Sequence, residues 1–478
     1  MSRSYYTYRI RLSNYDRVQI EKRDSQQQSL GEPSGTLRYQ EKLSELTPLL
    51  QLVKDGAING SSQARLLGES LFDVLFDDGL RPDFVSFYHQ VVQQEKQLLR
   101  VELDIDEKGM PELAALPWEF LCLPTRANLG TIWMGTVPDL VFSRQRSQWN
   151  PAQPIQLEQN EKLRIALVVS APPGLRPVEY KLVQEALEKL ASEQSNRVEL
   201  LPIVESADAE AIDKILSQKP HIFHFIGHGQ LENDENQEVG QIALVDQVLG
   251  EAMWVDADYF SELFNQHRPG VVMLQACEGA TLSASQAFVG LASRVVQQNI
   301  PVVVAMQYEV SNSTASRFAR RFYEQLAKDD PVDIAAQEGR RAIALGPTQY
   351  RKRDFATPVI FMRVSDGYLF NRSKSATYEL GSKWRYSEKN GWTGEWIREK
   401  DSDTFSVHLQ YNQGGSFEGK AKIVSFINGA FELHRYTNNI DDYCTYKGKI
   451  SSDGSSVSGD AICPGGGYIF WGAEIIEK

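Results

Sequence analysis

Short apolar runs alternate with amphipathic helical patterns through the middle of the chain. Strands are predicted over residues 163–170, 198–204, 221–226, 270–276, 301–306 and 358–364, and helices over residues 182–191, 208–216, 256–266, 284–295, 314–326 and 332–344. Apolar runs of this length that are closed by glycine are typical of buried parallel strands. Their alternation with helices predicts an α/β fold, with a mostly parallel sheet covered by helices on both faces. Residues 231–241 are rich in acidic side chains, and we expect them to form a loop.

The first part of the chain has a mixed pattern. Strands are predicted over residues 6–12, 99–105 and within 131–144, helices over residues 39–52, 64–76 and 85–98, and a loop over residues 26–35. Residues 145–162 are polar, lack periodicity and contain two prolines, which favours a boundary there. We therefore predict an N-terminal α+β region at residues 1–150 and an α/β domain at residues 163–370.

The last hundred residues are rich in glycine, serine and aromatic side chains. Strands of alternating polarity are predicted over residues 392–398, 404–411, 417–427, 430–436, 444–450, 457–462 and 468–475, separated by turn signals such as Asn428-Gly429. This pattern predicts a small antiparallel sandwich or barrel at residues 376–478. Because no cluster of reactive side chains is visible in it, we interpret it as a recognition domain. Trp384, Trp392 and Trp396 are candidate anchors, although several of its aromatic residues are expected in the core instead.

Composition narrows the class of protein. The chain of 478 residues has a formal net charge of −13, which argues against direct nucleic-acid binding. Seven histidines and four scattered cysteines argue against a metal site or a disulfide framework, so neither a metal nor a cofactor is expected. No run approaches the roughly 20 apolar residues of a membrane span, and the N-terminus has no signal-like apolar region. We expect a cytoplasmic protein whose thiols stay reduced.

Two of the apolar runs end on candidate catalytic residues. The first is followed by Gly227-His228-Gly229 and the second by Cys277-Glu278-Gly279. In an open α/β sheet, functional groups collect beyond the carboxyl ends of the strands, so both residues are expected at one rim. A thiol with a pKa of about 8.5 needs a neighbouring base to become a nucleophile, and His228 is the candidate base for Cys277.

The backbone at these two positions is suited to acyl transfer. The amides of Gly229 and Cys277 could bind the oxyanion of a tetrahedral intermediate. His221 and His224 precede His228 in the same run, but they alternate in direction along the strand and have no carboxylate cluster beside them, so a metal site is not predicted. Cys277 could also be a small buried side chain; the pairing of two glycine-flanked strand ends favours the catalytic reading.

These motifs resemble those of the CHAT-type peptidases, relatives of caspase, separase and clostripain. The Cys277 tract reads Gln275-Ala276-Cys277-Glu278-Gly279 and lies 277 − 228 = 49 residues after His228, close to the spacing of a caspase-type site. Upstream, residues 116–121 (LPWEFL) are similar to a signature that precedes many CHAT domains. Further family landmarks follow the cysteine in order, at residues 290–292, 300–307, 318–323 and 356–359, and the resemblance covers roughly residues 65–365.

The resemblance implies a cysteine endopeptidase with a His228–Cys277 dyad. Gln275, Glu278 and Gln307 are the candidates to line the substrate site. Gln275 is neutral and leaves the specificity open, and Glu278 fits a solvated or capping role equally well. The implied partners are a protein substrate, for example a gasdermin-like protein, and an activating protein or sensor in bacterial defence or cell death. We expect the enzyme to be latent, with residues 230–241 and 249–255 as gating loops. The alternative is a catalytically silent scaffold that binds partners through its N-terminal and β domains.

Overall fold

The computed structural model describes residues 5–58, 61–106, 109–124, 131–145, 151–234, 237–276, 282–297, 300–308, 310–346, 354–364, 367–372, 380–400, 402–427, 429–437, 443–451, 454–464 and 468–477. Contacts divide the chain into two compact units, Met1–Arg372 and Ser373–Lys478. All the described α-helices lie in the first unit, and the second is built of strands.

The first unit begins with strands and helices in mixed order, as predicted. These elements are β1 (Tyr5–Leu12), β2 (Arg17–Arg23), β3 (Ser29–Gly31), β4 (Ser34–Thr36), α1 (Tyr39–Lys54), α2 (Ser61–Leu75), α3 (Leu80–Tyr88), β5 (Leu98–Ile105), α4 (Pro111–Ala114), β6 (Cys122–Leu123), β7 (Ile132–Trp133) and β8 (Leu140–Gln145). A π-helical segment, His89–Gln94, follows α3 directly. In β1 the side chains of Tyr8, Ile10 and Leu12 are buried, which explains the alternation in the sequence.

The rest of the unit alternates strands with helices. These elements are β9 (Ile155–Leu157), β10 (Leu163–Val169), α5 (Lys181–Glu193), β11 (Val198–Leu200), α6 (Ala209–Leu216), β12 (Ile222–Gly227), β13 (Gly229–Asp234), β14 (Gln237–Val245), β15 (Ala252–Val255), α7 (Ala257–Glu262), β16 (Val271–Ala276), α8 (Leu282–Gln297), β17 (Val302–Met306), α9 (Asn312–Ala327), α10 (Val332–Ala344), β18 (Pro358–Met362) and β19 (Phe370–Arg372). Each predicted strand and helix of residues 163–364 therefore has a counterpart.

One large sheet organises this unit. Within the described residues it has twelve strands in the order β11-β10-β12-β16-β17-β18-β8-β5-β1-β2-β3, with β4 beside β2. Strands β11, β10, β12, β16 and β17 are parallel, and β18 runs antiparallel to β17. Because β18 also pairs with β8, the sheet is continuous between residues 1–145 and 163–364. The division into domains at residues 145–162 stays a prediction.

The central strands bury side chains on both faces. In β12, Ile222 and Ile226 lie in a core that includes α5, α9 and α10, whereas Phe223 and Phe225 lie in a second core formed with α6, α7 and α8. Successive side chains of a strand point to opposite faces, so a strand covered on both sides reads as an unbroken apolar run. The predicted fold class, a mostly parallel sheet with helices on both faces, is confirmed.

The predicted acidic loop at residues 231–241 is wrong. Residues 231–234 belong to β13 and residues 237–241 to β14, which pair antiparallel, and β14 pairs in turn with β15. The hairpin packs on α8 at Gly240, where a β-carbon would lie 2.4 Å from the carbonyl oxygen of Ala287. Close packing and cross-strand pairing stabilise strands that the polar composition disfavours. Residues 26–35 likewise contain short strands, β3 and β4, where a loop is expected.

The second unit is a closed antiparallel barrel of eight strands in the described residues. They are β20 (Lys383–Glu388), β21 (Trp392–Arg398), β22 (Thr404–Tyr411), β23 (Ser416–Ile427), β24 (Ala430–Tyr436), β25 (Tyr443–Ile450), β26 (Ser456–Ile462) and β27 (Tyr468–Glu477). Seven of these were predicted, and β20 was missed. Trp384 and Trp396 are fully buried and stack in the interior, so they are core residues rather than surface anchors.

The cysteines differ from the prediction. Cys444 in β25 and Cys463, directly after β26, form a disulfide with their α-carbons 4.0 Å apart. The two strands pair antiparallel with Thr445 opposite Ile462, so the preceding and following cysteines face each other. The expectation that all thiols stay reduced is therefore wrong for this pair, because sequence spacing carries no signal for a cross-strand bond. Among the described helices, none is long and apolar enough to cross a membrane.

Candidate active site

The strands that carry the two candidate catalytic residues are neighbours in the sheet. β12 and β16 pair in parallel from Ile222 opposite Val271 to Gly227 opposite Ala276. His228 follows Gly227 in the sequence, and Cys277 follows Ala276. Paired strands lie about 4.8 Å apart, so the two chains leave the sheet side by side at one rim. Cys277 and Glu278 themselves lie outside the described residues.

His228 is held by a backbone carbonyl. Its Nε2 lies 2.9 Å from the carbonyl oxygen of Arg176, in the segment between β10 and α5. Because a carbonyl oxygen only accepts hydrogen bonds, Nε2 carries the proton and donates it, and Nδ1 of the neutral ring keeps its lone pair. This contact fixes both the orientation of the ring and its tautomer.

The surroundings of His228 favour the neutral imidazole. Burial lowers its pKa below the ordinary value, the hydrogen bond to the Arg176 carbonyl opposes this shift, and the positive charge of Arg176 reinforces it. The side chain of His228 is only partly buried. At neutral pH the ring is therefore an unprotonated base.

The amide of Gly229 is directed away from the adjoining hairpin strand. Gly229 is opposite Ile242, and the neighbouring hydrogen bond runs from the Ala243 nitrogen to the His228 oxygen, 3.0 Å apart. In an antiparallel ladder this register makes Gly229 and Ile242 a pair without mutual hydrogen bonds. The N–H of Gly229 is thus left to point outward, beside His228.

Gln275, predicted to line the substrate site, has a buried side chain. Only 1 % of the residue is exposed, and its Oε1 lies 3.1 Å from Nε2 of His224 on the adjacent strand. His224 is fully buried and its Nδ1 lies 3.1 Å from the hydroxyl of Tyr323 in α9. Burial lowers the pKa of His224 to about 4, and the hydrogen bond to Gln275 opposes this shift.

This buried chain of hydrogen bonds has one consistent direction. The Tyr323 hydroxyl donates to Nδ1 of the neutral His224, whose Nε2–H donates to Oε1 of Gln275. The amide nitrogen of Gln275 has no hydrogen-bond partner among the described residues. Sequence reasoning missed this arrangement; the only available signal is a histidine in the middle of an apolar strand.

Gln307, also predicted to contact substrate, is engaged in a buried network. Its amide nitrogen donates to Oε2 of Glu119 (3.0 Å) and to the carbonyl of Ala356 (2.6 Å). Glu119 belongs to the LPWEFL segment and accepts two hydrogen bonds from Arg144, at 3.0 and 2.7 Å. The preceding Trp118 is fully buried, so this segment joins the N-terminal strands to the end of β17.

The remaining histidine of the run is remote from the rim. His221 lies at the start of β12, and its Nδ1 accepts a hydrogen bond from the Arg164 backbone at 3.0 Å. Burial, reinforced by the charge of Arg164, lowers its pKa to about 4. Within the described residues no group of three or more His, Cys, Asp or Glu side chains is arranged to hold a metal ion.

In a comparison with protein families, the CHAT domain matches residues 65–364 of the chain. The chain belongs to the CHAT domain family. It is thereby related to the caspase-like cysteine peptidases, as the sequence motifs indicated. The match extends from α2 to the end of the large sheet and includes the LPWEFL segment, His228 and Cys277.

Solved structures similar to this CHAT protein include proteases. The Arg-specific cysteine proteinase gingipain R matches with a TM-score of 0.36 and 11% identity, covering 82% of this chain and 87% of that one. A second protease structure has a TM-score of 0.36 and 7% identity, covering 77% and 87%. The redesigned β-barrel mFAP1, bound to DFHBI, covers 21% of this chain and 99% of its own, with a TM-score of 0.17 and 13% identity. No curated protein matches the chain.

Proposed function

We propose that this CHAT protein is a cysteine endopeptidase in which Cys277 is the nucleophile and His228 is the general base. The observation that carries the proposal is the register of β12 and β16, which end side by side at Gly227 and Ala276, directly before the two residues. The tautomer imposed by the Arg176 carbonyl supports it, because it leaves Nδ1 as the proton acceptor.

The proposed reaction proceeds in two acyl-transfer steps. Nδ1 of His228 takes the proton from the Cys277 thiol, and the thiolate attacks the substrate carbonyl carbon. The resulting oxyanion is stabilised by N–H donors, for which the outward amide of Gly229 and the amide of Cys277 are the candidates. The imidazolium returns its proton to the leaving amine, which gives a thioester. Water activated by His228 then hydrolyses the thioester and releases the acid and the free thiol.

The substrate is proposed to be a protein. The CHAT proteins that this chain resembles act in bacterial defence and cell death, which supports a gasdermin-like target and release by an infection-sensing partner. Glu278 remains a candidate for substrate contact, whereas the buried side chain of Gln275 fits support of the Cys277 segment through His224 better. The cytoplasmic location stays a prediction, and the Cys444–Cys463 disulfide weighs against it because such bonds are rare in the cytosol.

Thiol labelling tests the dyad without knowledge of the substrate. Iodoacetamide at limiting concentration should modify Cys277, and Cys277→Ala should abolish this labelling. His228→Ala should slow it by about 100-fold or more, the usual contribution of a positioned base. Cys122→Ala is the matched control, because burial raises the pKa of the Cys122 thiol to about 12 and keeps it unreactive. Equal labelling rates in the starting protein and His228→Ala would refute the dyad, and an unreactive Cys277 would favour the silent scaffold.

Latency is the second part of the proposal. The predicted gating segments, residues 230–241 and 249–255, include the β13–β14 hairpin and β15. Gating would therefore be a displacement of this small sheet, which begins directly after His228, rather than the ordering of loops. The isolated chain should cleave unstructured peptides slowly. Rapid cleavage of an unstructured peptide library by the purified protein alone would contradict latency.

A further inference from the structure

A cleft of about 1030 Å³ lies in the first unit and is lined by residues of both α1 and α8. One wall comes from α1 and from residues 111–117 of the N-terminal region, and the other comes from α8 and the β13–β14 hairpin. This volume is at the upper end of the roughly 300–1,000 Å³ of sites that take a drug-sized ligand. It therefore has room for several residues of a bound polypeptide.

The lining of the cleft combines apolar surface with exposed positive charge. Leu50, Val289 and Phe361 contribute apolar walls. Lys54 and Arg294 are exposed, and neither has an ion pair with any described residue. A third cation, Arg144, is neutralised by Glu119. Glu112 is the one carboxylate among the described lining residues, so the accessible charge is positive in a chain of net charge −13.

Two elements that line the cleft, β13 and α8, lie close in sequence to the two candidate catalytic residues. Leu231 and Gly240 line it from the hairpin, which begins at Gly229, directly after His228. Gly290 and Arg294 line it from α8, which begins at Leu282, 282 − 277 = 5 residues after Cys277. A ligand that contacts both walls would bias the position of both elements, since each is tied to the rim by a short connection.

From the charge and size of this cleft we infer that it binds an acidic segment of a partner protein with interspersed apolar residues. The carboxylates of the segment pair with Lys54 and Arg294, and its apolar side chains pack on the part-exposed Leu50 and Val289. Binding joins the N-terminal region to α8 and the hairpin and so alters the reactivity of Cys277. This regulatory consequence rests on the proposed function, whereas the binding itself does not.

Substitution of Gly290 by a larger residue can block the cleft. A β-carbon built on Gly290 meets no atom within 4 Å, so side chains at this position extend into open space. Gly290→Phe should fill the cleft without displacing its neighbours, and Gly290→Ala is the matched control that leaves most of the volume free. To test the charges, Lys54→Glu with Arg294→Glu reverses the two exposed cations of the cleft, and Lys214→Glu reverses an exposed cation on α6 outside the cleft.

The binding test uses the full chain and fluorescence anisotropy. The probe is a fluorescein-labelled ten-residue peptide of alternating Glu and Leu, with a Lys-Leu peptide as its charge control. The Glu-Leu peptide should bind saturably, and its affinity should fall at least 10-fold in Gly290→Phe and in the Lys54→Glu, Arg294→Glu double variant. The affinity should change less than twofold in Gly290→Ala and Lys214→Glu, and it should weaken with added salt. Absence of saturable binding, or equal affinity in the cleft variants, overturns the inference.

The regulatory consequence is tested in a separate experiment, which measures the rate of Cys277 labelling. Saturating Glu-Leu peptide should change this rate at least threefold in the starting protein and leave it unchanged in Gly290→Phe. A bound peptide with no effect on labelling overturns the coupling between the cleft and the rim. Labelling that is absent with and without peptide, while cleft binding persists, identifies a failure of the proposed peptidase function rather than of the binding site.

Discussion

Replacement of Glu119 by leucine tests how the N-terminal segment supports the sheet. Glu119 is fully buried and accepts hydrogen bonds from Arg144 and Gln307, and Arg340 lies 4.0 Å away. Among the described residues, Glu119 is the only carboxylate within 4.0 Å of the guanidinium groups of Arg144 and Arg340. Glu119→Leu removes this carboxylate, and both arginines remain buried. Arg144 keeps the carbonyls of Ala114 and Leu116, at 2.7 and 2.9 Å.

The expected loss of stability is about 3–5 kcal/mol, the usual cost of removing one partner of a buried ion pair. The state of Arg340 supports this range. Burial lowers the pKa of Arg340 to about 10, and the charge of Glu119 opposes that shift. Without the Glu119 carboxylate, the pKa of Arg340 falls further, so the charged guanidinium becomes less stable in the folded state. With an m-value of about 3 kcal/mol per M, the urea midpoint should fall by about 1–2 M.

Urea unfolding of the full chain, followed by the circular dichroism of the helices, measures this change. The described helices all lie in the first unit, so the signal reports on that unit alone. Glu112→Leu removes an exposed carboxylate and is the control. Adding Arg144→Met to Glu119→Leu should recover part of the loss, because it removes one of the uncompensated charges. A loss below about 0.5 kcal/mol for Glu119→Leu would refute this account of the network.

Three further outcomes are expected. First, the free energy of unfolding should fall by up to about 3 kcal/mol between pH 6.5 and pH 4 through His224. The pKa of about 4 keeps His224 neutral in the folded state over this range, whereas the same side chain in the unfolded chain takes up a proton. His224→Gln should flatten this part of the curve of unfolding free energy against pH. Second, replacing both Cys444 and Cys463 by serine should lower the free energy of unfolding of the barrel by about 3 kcal/mol, as expected for a disulfide between residues 19 apart. In calorimetry, the unfolding transition of the helical first unit should not change. Truncation after Arg372 should preserve Cys277 labelling but reduce cleavage of the natural substrate more than cleavage of a peptide; equal losses would contradict a separate recognition role for the barrel.

The alternating α/β core could be predicted from the sequence because burial on both faces leaves a direct signature. β12 and β16 are apolar apart from the buried His224 and Gln275, and they are followed directly by the glycine-flanked His228 and by Cys277. The β13–β14 hairpin could not be predicted, since its strands depend on contacts with α8 that begin more than 40 residues later along the chain. β20 was missed although Lys383–Glu388 alternates like the other strands, with Trp384 and Tyr386 buried. The sequence does not show its pairing with β27, which closes the barrel and lies at the other end of this unit along the chain.

The candidate site was only partly visible in the sequence. The rim position of His228 follows from the glycine-flanked strand end, but its hydrogen bond to the Arg176 carbonyl spans 52 residues and involves a backbone atom that any residue provides. For Gln275, in contrast, the expected role does not match the observed position of the side chain. Its position two residues before Cys277 indicates a pocket residue in the resemblance, whereas the strand register turns its side chain inward to His224.

The continuity of the sheet explains why the LPWEFL segment and the two catalytic strands belong to one unit. Glu119 contacts Gln307, the residue that follows β17, and β17 is the immediate neighbour of β16. A displacement of the N-terminal strands would therefore be transmitted to the rim at Cys277 through the Glu119–Gln307 contact and through β17, which pairs with β16. This argues that Glu119→Leu should slow Cys277 labelling even under conditions in which the variant is fully folded. Labelling at the original rate would mean that the network stabilises the fold without setting the geometry of the rim.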